Sequence, residues 1–349
     1  MRFPTVTSPH LTPPHSVGRV MTQVILALIP ATIAATWYFG WGVLINIGIA
    51  VTTALACEAV MLTLRRRPLP PALGDLSAVV AAWLFALTLP PLVPWWIAVI
   101  GIAFAMVFAK HLYGGLGYNP FNPAMVGFVV VLLSFPRELS LWTIPAVLAE
   151  QRLGFTDYLN AIFLGHLPAG LTWDALTSAT PLDRVRTELG MNRTLDEIRE
   201  NPFFGDFSGR GWEWVGNWYL LGGLWLAYRR VIDWRIPLAV LLSLCALAAA
   251  FHLFDPGRFA SPAFHLFSGA AIVGAFFIAT DPVTASTTPR GRLIYGAGIG
   301  VLIYVIRTWG GYAEGVAFAV LLMNMAAPTI DHYTRPRVFG TRRGERDAP

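Results

Sequence analysis

Asp174, Thr177, Ala179 and Thr180 form the pattern Asp-x-x-Thr-x-Ala-Thr, with Ser178 between the second and third of them. Thr180 is the residue whose chemistry could matter most. A threonine hydroxyl is a weak nucleophile at neutral pH and needs activation from outside. A transferase that esterified it would need an extended, exposed segment, and Pro181 helps supply one by disfavouring helix at Thr180. The plainer alternative is a helix cap or a turn, where Ser, Thr and Asp are common.

A second set of chemically able residues lies inside apolar surroundings. Glu58 falls deep within an apolar run, Ala56-Cys57-Glu58-Ala59. A charge near a bilayer centre costs about 2.5–3.5 kcal/mol on insertion scales, so it usually faces a cavity or a partner. Glu58 is therefore a candidate for handling a cation or proton, with a hydrogen bond to a neighbouring helix as the alternative. Gly114–Asn122 is rich in Gly, but no strand precedes it, so it is not a dinucleotide fingerprint. It reads as a break in a membrane helix, as does Thr280–Thr288. Backbone freed at membrane depth must line a cavity or be buried in protein; tight packing through small residues is the alternative. Asn119, Asn122, Thr280, Asp281 and Thr284 are the candidate polar lining, and Asp281 joins Glu58 as a candidate ion-pathway residue. Lys110 and Glu314, near the ends of apolar runs, read as snorkelling or surface groups.

These residues must be positioned by membrane helices. The chain has 349 residues, 55% hydrophobic and 13% charged, against about 25% charged in a soluble domain. Hydropathy predicts an all-α polytopic membrane protein of about ten transmembrane helices. Five fall near Val20–Tyr38, Val43–Leu64, Leu76–Leu89, Trp95–Leu112 and Pro123–Phe135, so residues 20–135 form a first unit. Residues 136–211 are a long polar loop carrying Thr180. Five more spans follow within residues 212–330, near Trp212–Tyr228, Ile236–Phe254, Ala263–Ala279, Leu293–Thr308 and Gly315–Ile330, and residues 331–349 form a tail. Thr88-Leu89-Pro90 and Thr280-Asp281-Pro282 recur ahead of a span and a Gly-Gly pair, which suggests two inverted five-helix repeats; the frequency of Gly and Pro in membrane proteins is the competing explanation.

Orientation follows the basic residues. Arg2, Arg19, Arg65-Arg66-Arg67, Lys110, Arg229-Arg230, Arg235, Arg290, Arg292 and the tail from Arg335 to Arg346 share one side, which places both termini in the cytoplasm and the Thr180 loop in the periplasm. The net charge of +5 is thus a topological signal, and no basic-aromatic stripe suggests nucleic acid. Cys57 and Cys245, the two cysteines, lie far apart and cannot hold a four-cysteine iron–sulfur cluster. Most Trp residues, such as Trp95-Trp96, Trp212 and Trp214, read as interface anchors, whereas Trp173 lies close enough to Thr180 to stack on a group attached there.

Tyr113–Met125 (YGGLGYNPFNPAM), Phe276–Thr288 (FFIATDPVTASTT) and Asp331–Val338 (DHYTRPRV), with the threonine motif, resemble signatures of the RnfD/NqrB family, and the length and short N-terminus resemble its RnfD branch. The resemblance implies a subunit of an ion-translocating oxidoreductase of the bacterial inner membrane, not active alone, that couples electron flow between ferredoxin and NAD to Na⁺ or H⁺ movement. It implies partner subunits (RnfA, RnfB, RnfC, RnfE and RnfG), FMN attached through its phosphate to Thr180 with Asp174, Thr177, Ser178 and Ala179 as the recognition motif, and a non-covalent riboflavin with no residue assigned. Thr177 stands where Ser is commoner, and Ser178 where Gly or Gln is usual. A channel, or a scaffold that only holds partners, would suit the same helical repeats, because fold does not settle function.

Overall fold

The computed structural model describes residues 16–336. Arg2 and the tail beyond residue 336, which entered the orientation argument, lie outside the described residues.

Each apolar run holds helix. The first half contains α1 (Val17–Phe39), α2 (Gly42–Leu64), α3 (Leu69–Leu73), α4 (Ser77–Ala86), α5 (Trp95–Phe104) and α6 (Pro123–Ser134). Helix α5 continues as a π-helical turn, Ala105–His111. The second half contains α12 (Trp212–Tyr228), α13 (Arg235–Phe254), α14 (Pro262–Phe267), α15 (Ala271–Val273), α16 (Pro289–Trp309) and α17 (Val316–Thr334), with a second π-helical turn, Gly274–Ile278, after α15. Among the described residues, α1, α2, α13 and α16 are long and apolar enough to cross a membrane, and the other apolar helices are shorter. A single large core joins the two halves: Leu28 and Ala31 of α1, Val131 of α6, Leu226 of α12 and Ile299 of α16 belong to it.

The polar interval is folded. It carries α7 (Pro136–Ser140), β1 (Trp142–Thr143), α8 (Phe155–Leu164), α9 (Trp173–Leu176), β2 (Thr177–Ser178), α10 (Pro181–Gly190) and α11 (Leu195–Arg199). Strands β1 and β2 pair antiparallel, Trp142 opposite Ser178 and Thr143 opposite Thr177. The last carbonyls of a helix have no partner within it. Here the interval supplies them: the Thr143 and Tyr158 hydroxyls both donate to the Phe39 carbonyl, at 3.0 and 2.9 Å, and the Ala146 N–H donates to the Tyr38 carbonyl at 2.7 Å. Burial at that contact pushes the Tyr158 hydroxyl up to about 12. Gly40, at φ +92°, makes room, because a Cβ there would lie 2.0 Å from the Tyr158 hydroxyl. The segment around Thr180 is therefore pinned to the end of α1.

Candidate functional site

Thr180 lies between β2 and α10, and it caps α10. Its Oγ1 accepts from the Asp183 N–H at 3.2 Å and donates to Asp183 Oδ2 at 2.6 Å. The cap reading of this residue thus describes its local geometry. Beside it opens a cavity of about 430 Å³ between the two halves. Thr180, Asp183 and Arg186 line it, together with Leu84 and Met125 from the first half and Val215 and Ala317 from the second. Trp142, Trp212 and Tyr219 add aromatic faces. Arg186 is held in place by donating to the Gly310 carbonyl at 2.6 Å. Burial raises the Asp183 carboxyl above the ordinary carboxylate range; the hydrogen bond from Thr180 opposes this, and nearby Glu314 adds to it.

The rest of the motif presents outward or packs locally. Asp174 and Ala179 are exposed, Ser178 is half-buried, and the Thr177 hydroxyl donates to the Trp173 carbonyl at 2.9 Å. Trp173 is exposed on α9 and is not among the residues lining the cavity beside Thr180. Trp212 packs on Phe39 and Trp142, with ring centroids 4.6 and 4.7 Å apart, and lines the cavity.

A second cavity, of about 380 Å³, gathers Asn119, Asn122, Thr280 and Asp281 with Ser77 and Lys110. The Gly-rich run and the Thr280 break, far apart in the chain, thus meet. The run does interrupt helix: Gly114, Gly115 and Gly117 have φ of +131°, +102° and +92°, a region only glycine enters freely. Asn122 caps α6 by accepting from the Met125 N–H, and its amide nitrogen reaches the Ile278 carbonyl at 3.5 Å. Asp281 accepts from the Thr284 hydroxyl at 3.0 Å and from the Val283 N–H at 3.2 Å. Thr280 donates to the Phe276 carbonyl at 2.6 Å.

Glu58 is connected to this cavity through Lys110. Lys110 Nζ lies 2.6 Å from Glu58 Oε1 and 2.8 Å from Ser77 Oγ. Lys110 is buried, so its reading as a snorkelling group is overturned: the π-helical turn carries it inward to a carboxylate that a low-dielectric interior could not leave unpaired. His111, which hydropathy had not singled out, sits 3.7 Å from the same oxygen. Glu314 is likewise no surface group. It pairs with buried Arg307 at 3.0 Å and accepts the Ala270, Gly315 and Val316 N–H groups.

The NQR2, RnfD, RnfE family model matches residues 5–340. The chain belongs to that family. Among its relatives is a Vibrio cholerae protein named as the D subunit of an ion-translocating oxidoreductase complex; it is 50% identical over 347 residues, covering 97% of this chain and 100% of the relative. The Aeromonas hydrophila protein of the same name is 53% identical over 331 residues, covering 93% and 95%. That of Vibrio vulnificus is 49% identical over 356 residues, covering 97% and 100%. Family membership spans both helical halves and the folded segment between them.

Proposed function

We propose that this chain is the D subunit of a bacterial inner-membrane, ion-translocating oxidoreductase, carrying covalent FMN on Thr180 and relaying electrons between partner subunits on the path between ferredoxin and NAD. The names of its relatives support the complex and the presence of partner subunits. One observation supports the flavin: the last hydroxyl of the motif lines a cavity of about 430 Å³, within the usual 300–1,000 Å³ of a cofactor site. The residues present fit such a group. Thr180 would hold its phosphate, Arg186 would balance the phosphodiester charge, and Trp142, Trp212 and Tyr219 would flank a planar ring. FMN, when bound, supplies one- and two-electron chemistry, and the protein supplies position and electrostatics.

The cavity lined by Asn119, Asn122, Thr280 and Asp281 is the place we assign to a non-covalent riboflavin. Glu58, coupled to Lys110, and Asp281 at that cavity are the candidate ion-handling groups, for Na⁺ or H⁺. Corresponding breaks of the two halves each line a cavity: Thr88-Leu89 the one beside Thr180, and Thr280-Asp281-Pro282 the other. That correspondence supports the repeat reading, and the basic residues support cytoplasmic termini and a periplasmic Thr180.

The test is a denaturing gel. The chain co-expressed with a flavin transferase should give a band that fluoresces under ultraviolet light, and Thr180→Ala should give a dark one. A dark band from the unaltered chain overturns the flavin assignment and favours a channel or scaffold.

A further inference from the structure

We propose that Asp183 is the base that accepts the Thr180 proton when the flavin is attached, so that this chain supplies part of the chemistry of its own modification. The inference rests on Thr180 being the attachment site. In an ordinary capping box the acidic residue three positions on reaches back to the backbone N–H of the cap. Here the Asp183 carboxylate takes the Thr180 hydroxyl instead, at 2.6 Å, while the Asp183 N–H donates to the same oxygen at 3.2 Å. The hydroxyl proton is thereby aimed at a carboxylate, and one oxygen lone pair is occupied. The other lone pair is left for attack. A nucleophile and a base within hydrogen-bond reach form the arrangement that activates weak hydroxyls.

The step balances with flavin adenine dinucleotide as the donor. Thr180 Oγ1 forms a bond to the phosphorus on the riboflavin side. The bridging P–O bond of the pyrophosphate breaks, and AMP departs with that bonding pair. The Thr180 proton passes to Asp183 Oδ2. Positioned aspartates accept the hydroxyl proton in the same way in protein kinases. The setting suits a base, since burial raises the Asp183 carboxyl and makes it a better proton acceptor than an exposed aspartate. The charged and titratable groups sharing its cavity are Arg186 on α10, Glu314 and Tyr312 from the α16–α17 connection, and Tyr219 on α12. Asp174, exposed on α9, is left free to be read by the transferase.

The experiment follows attachment in time. The full-length chain, purified flavin-free in nanodiscs, is mixed with a flavin transferase and flavin adenine dinucleotide, and the fluorescent band is quantified from pH 4.5 to 8. Asp183→Asn should label on the order of 100-fold more slowly, at the low end of general-base effects. Asp183→Glu should recover much of the rate, and formate should rescue Asp183→Ala. If Asp183→Asn labels at the unaltered rate while Thr180→Ala stays dark, the base role falls and the attachment site stands. If Thr180→Ala labels, the site itself falls. Should Asp183→Asn melt early, Asp183→Glu decides: a rate as slow as that of Asp183→Asn overturns the proposal, and a recovered rate supports it.

Discussion

Lys110 Nζ sits 2.6 Å from Glu58 Oε1, with only 3% and 2% of the two side chains exposed. A pair this buried contributes little net stability over an apolar substitute, but removing one partner strands the other's charge, at a cost of about 3–5 kcal/mol. Glu58→Gln should therefore lower the melting temperature in nanodiscs markedly, while the Glu58→Leu/Lys110→Met double variant should melt closer to the unaltered chain. In the assembled complex, Glu58→Gln should also slow ion transport. Normal assembly with unchanged transport would remove Glu58 from the ion pathway.

The turn after α14 depends on one glycine. Gly269 has φ +63°, and a Cβ there would lie 1.9 Å from Glu314 Oε2. Gly269→Ala should dislodge Glu314 from Arg307 and from the Ala270 N–H, adding to the 1–3 kcal/mol or so of a strained backbone. Calorimetry should show a lower melting temperature than for Gly48→Ala, since Gly48 on α2 has open space around it and alanine favours helix.

Small residues hold the two halves together. A Cβ on Gly222 of α12 would lie 2.2 Å from the Ala27 carbonyl oxygen of α1. Close backbone approach of this kind is how helices associate in lipid. Gly222→Leu should separate α1 from α12, widen the space between the halves and speed proteolysis of the 136–211 segment. Proteolysis at the unaltered rate would show that this contact does not govern the junction.

Asp233 joins the start of α13 to α16. It accepts from the Arg235 N–H at 2.9 Å and from the Arg235 and Arg292 guanidinium groups. Burial pushes its carboxyl upward, but the Arg235 N–H and the Arg292 guanidinium outweigh that and hold it below the ordinary range. A depressed carboxyl stabilises the fold above its unfolded pKa, and that contribution fades as pH falls through the folded value. Asp233→Asn should cost about 1 kcal/mol at neutral pH. Its melting curve should converge with that of the unaltered chain in acid; a constant gap across pH would refute the ionic account.

Long apolar runs made the helices legible, because lipid demands both length and composition. The helix at Trp212–Tyr228 begins and ends where hydropathy places it. The π-helical turn at Ala105–His111 was not legible, since nothing in Ala105-Met106-Val107-Phe108-Ala109 departs from an ordinary apolar helix. Lys110 was misplaced for that reason, and its partner lies 52 residues earlier. Asn119, Asn122, Thr280 and Asp281 are legible as residues at Gly- and Pro-rich helix breaks, which mark backbone needing partners, and they do share a cavity; Thr284, expected with them, is not among its lining residues and instead donates to Asp281. Asp183 escaped notice because Thr-x-x-Asp at a helix start looks like routine capping; only the direction of the hydroxyl sets it apart.

The hydroxyls of Thr143 and Tyr158, converging on one carbonyl at the end of α1, bolt the span before Thr180 to the membrane frame. The flavin proposed for that threonine would swing from a fixed hook, with a radius no greater than its own ribityl-phosphate arm. The gap an electron must jump would then be governed by how a neighbouring subunit seats itself, and not by a waving tether.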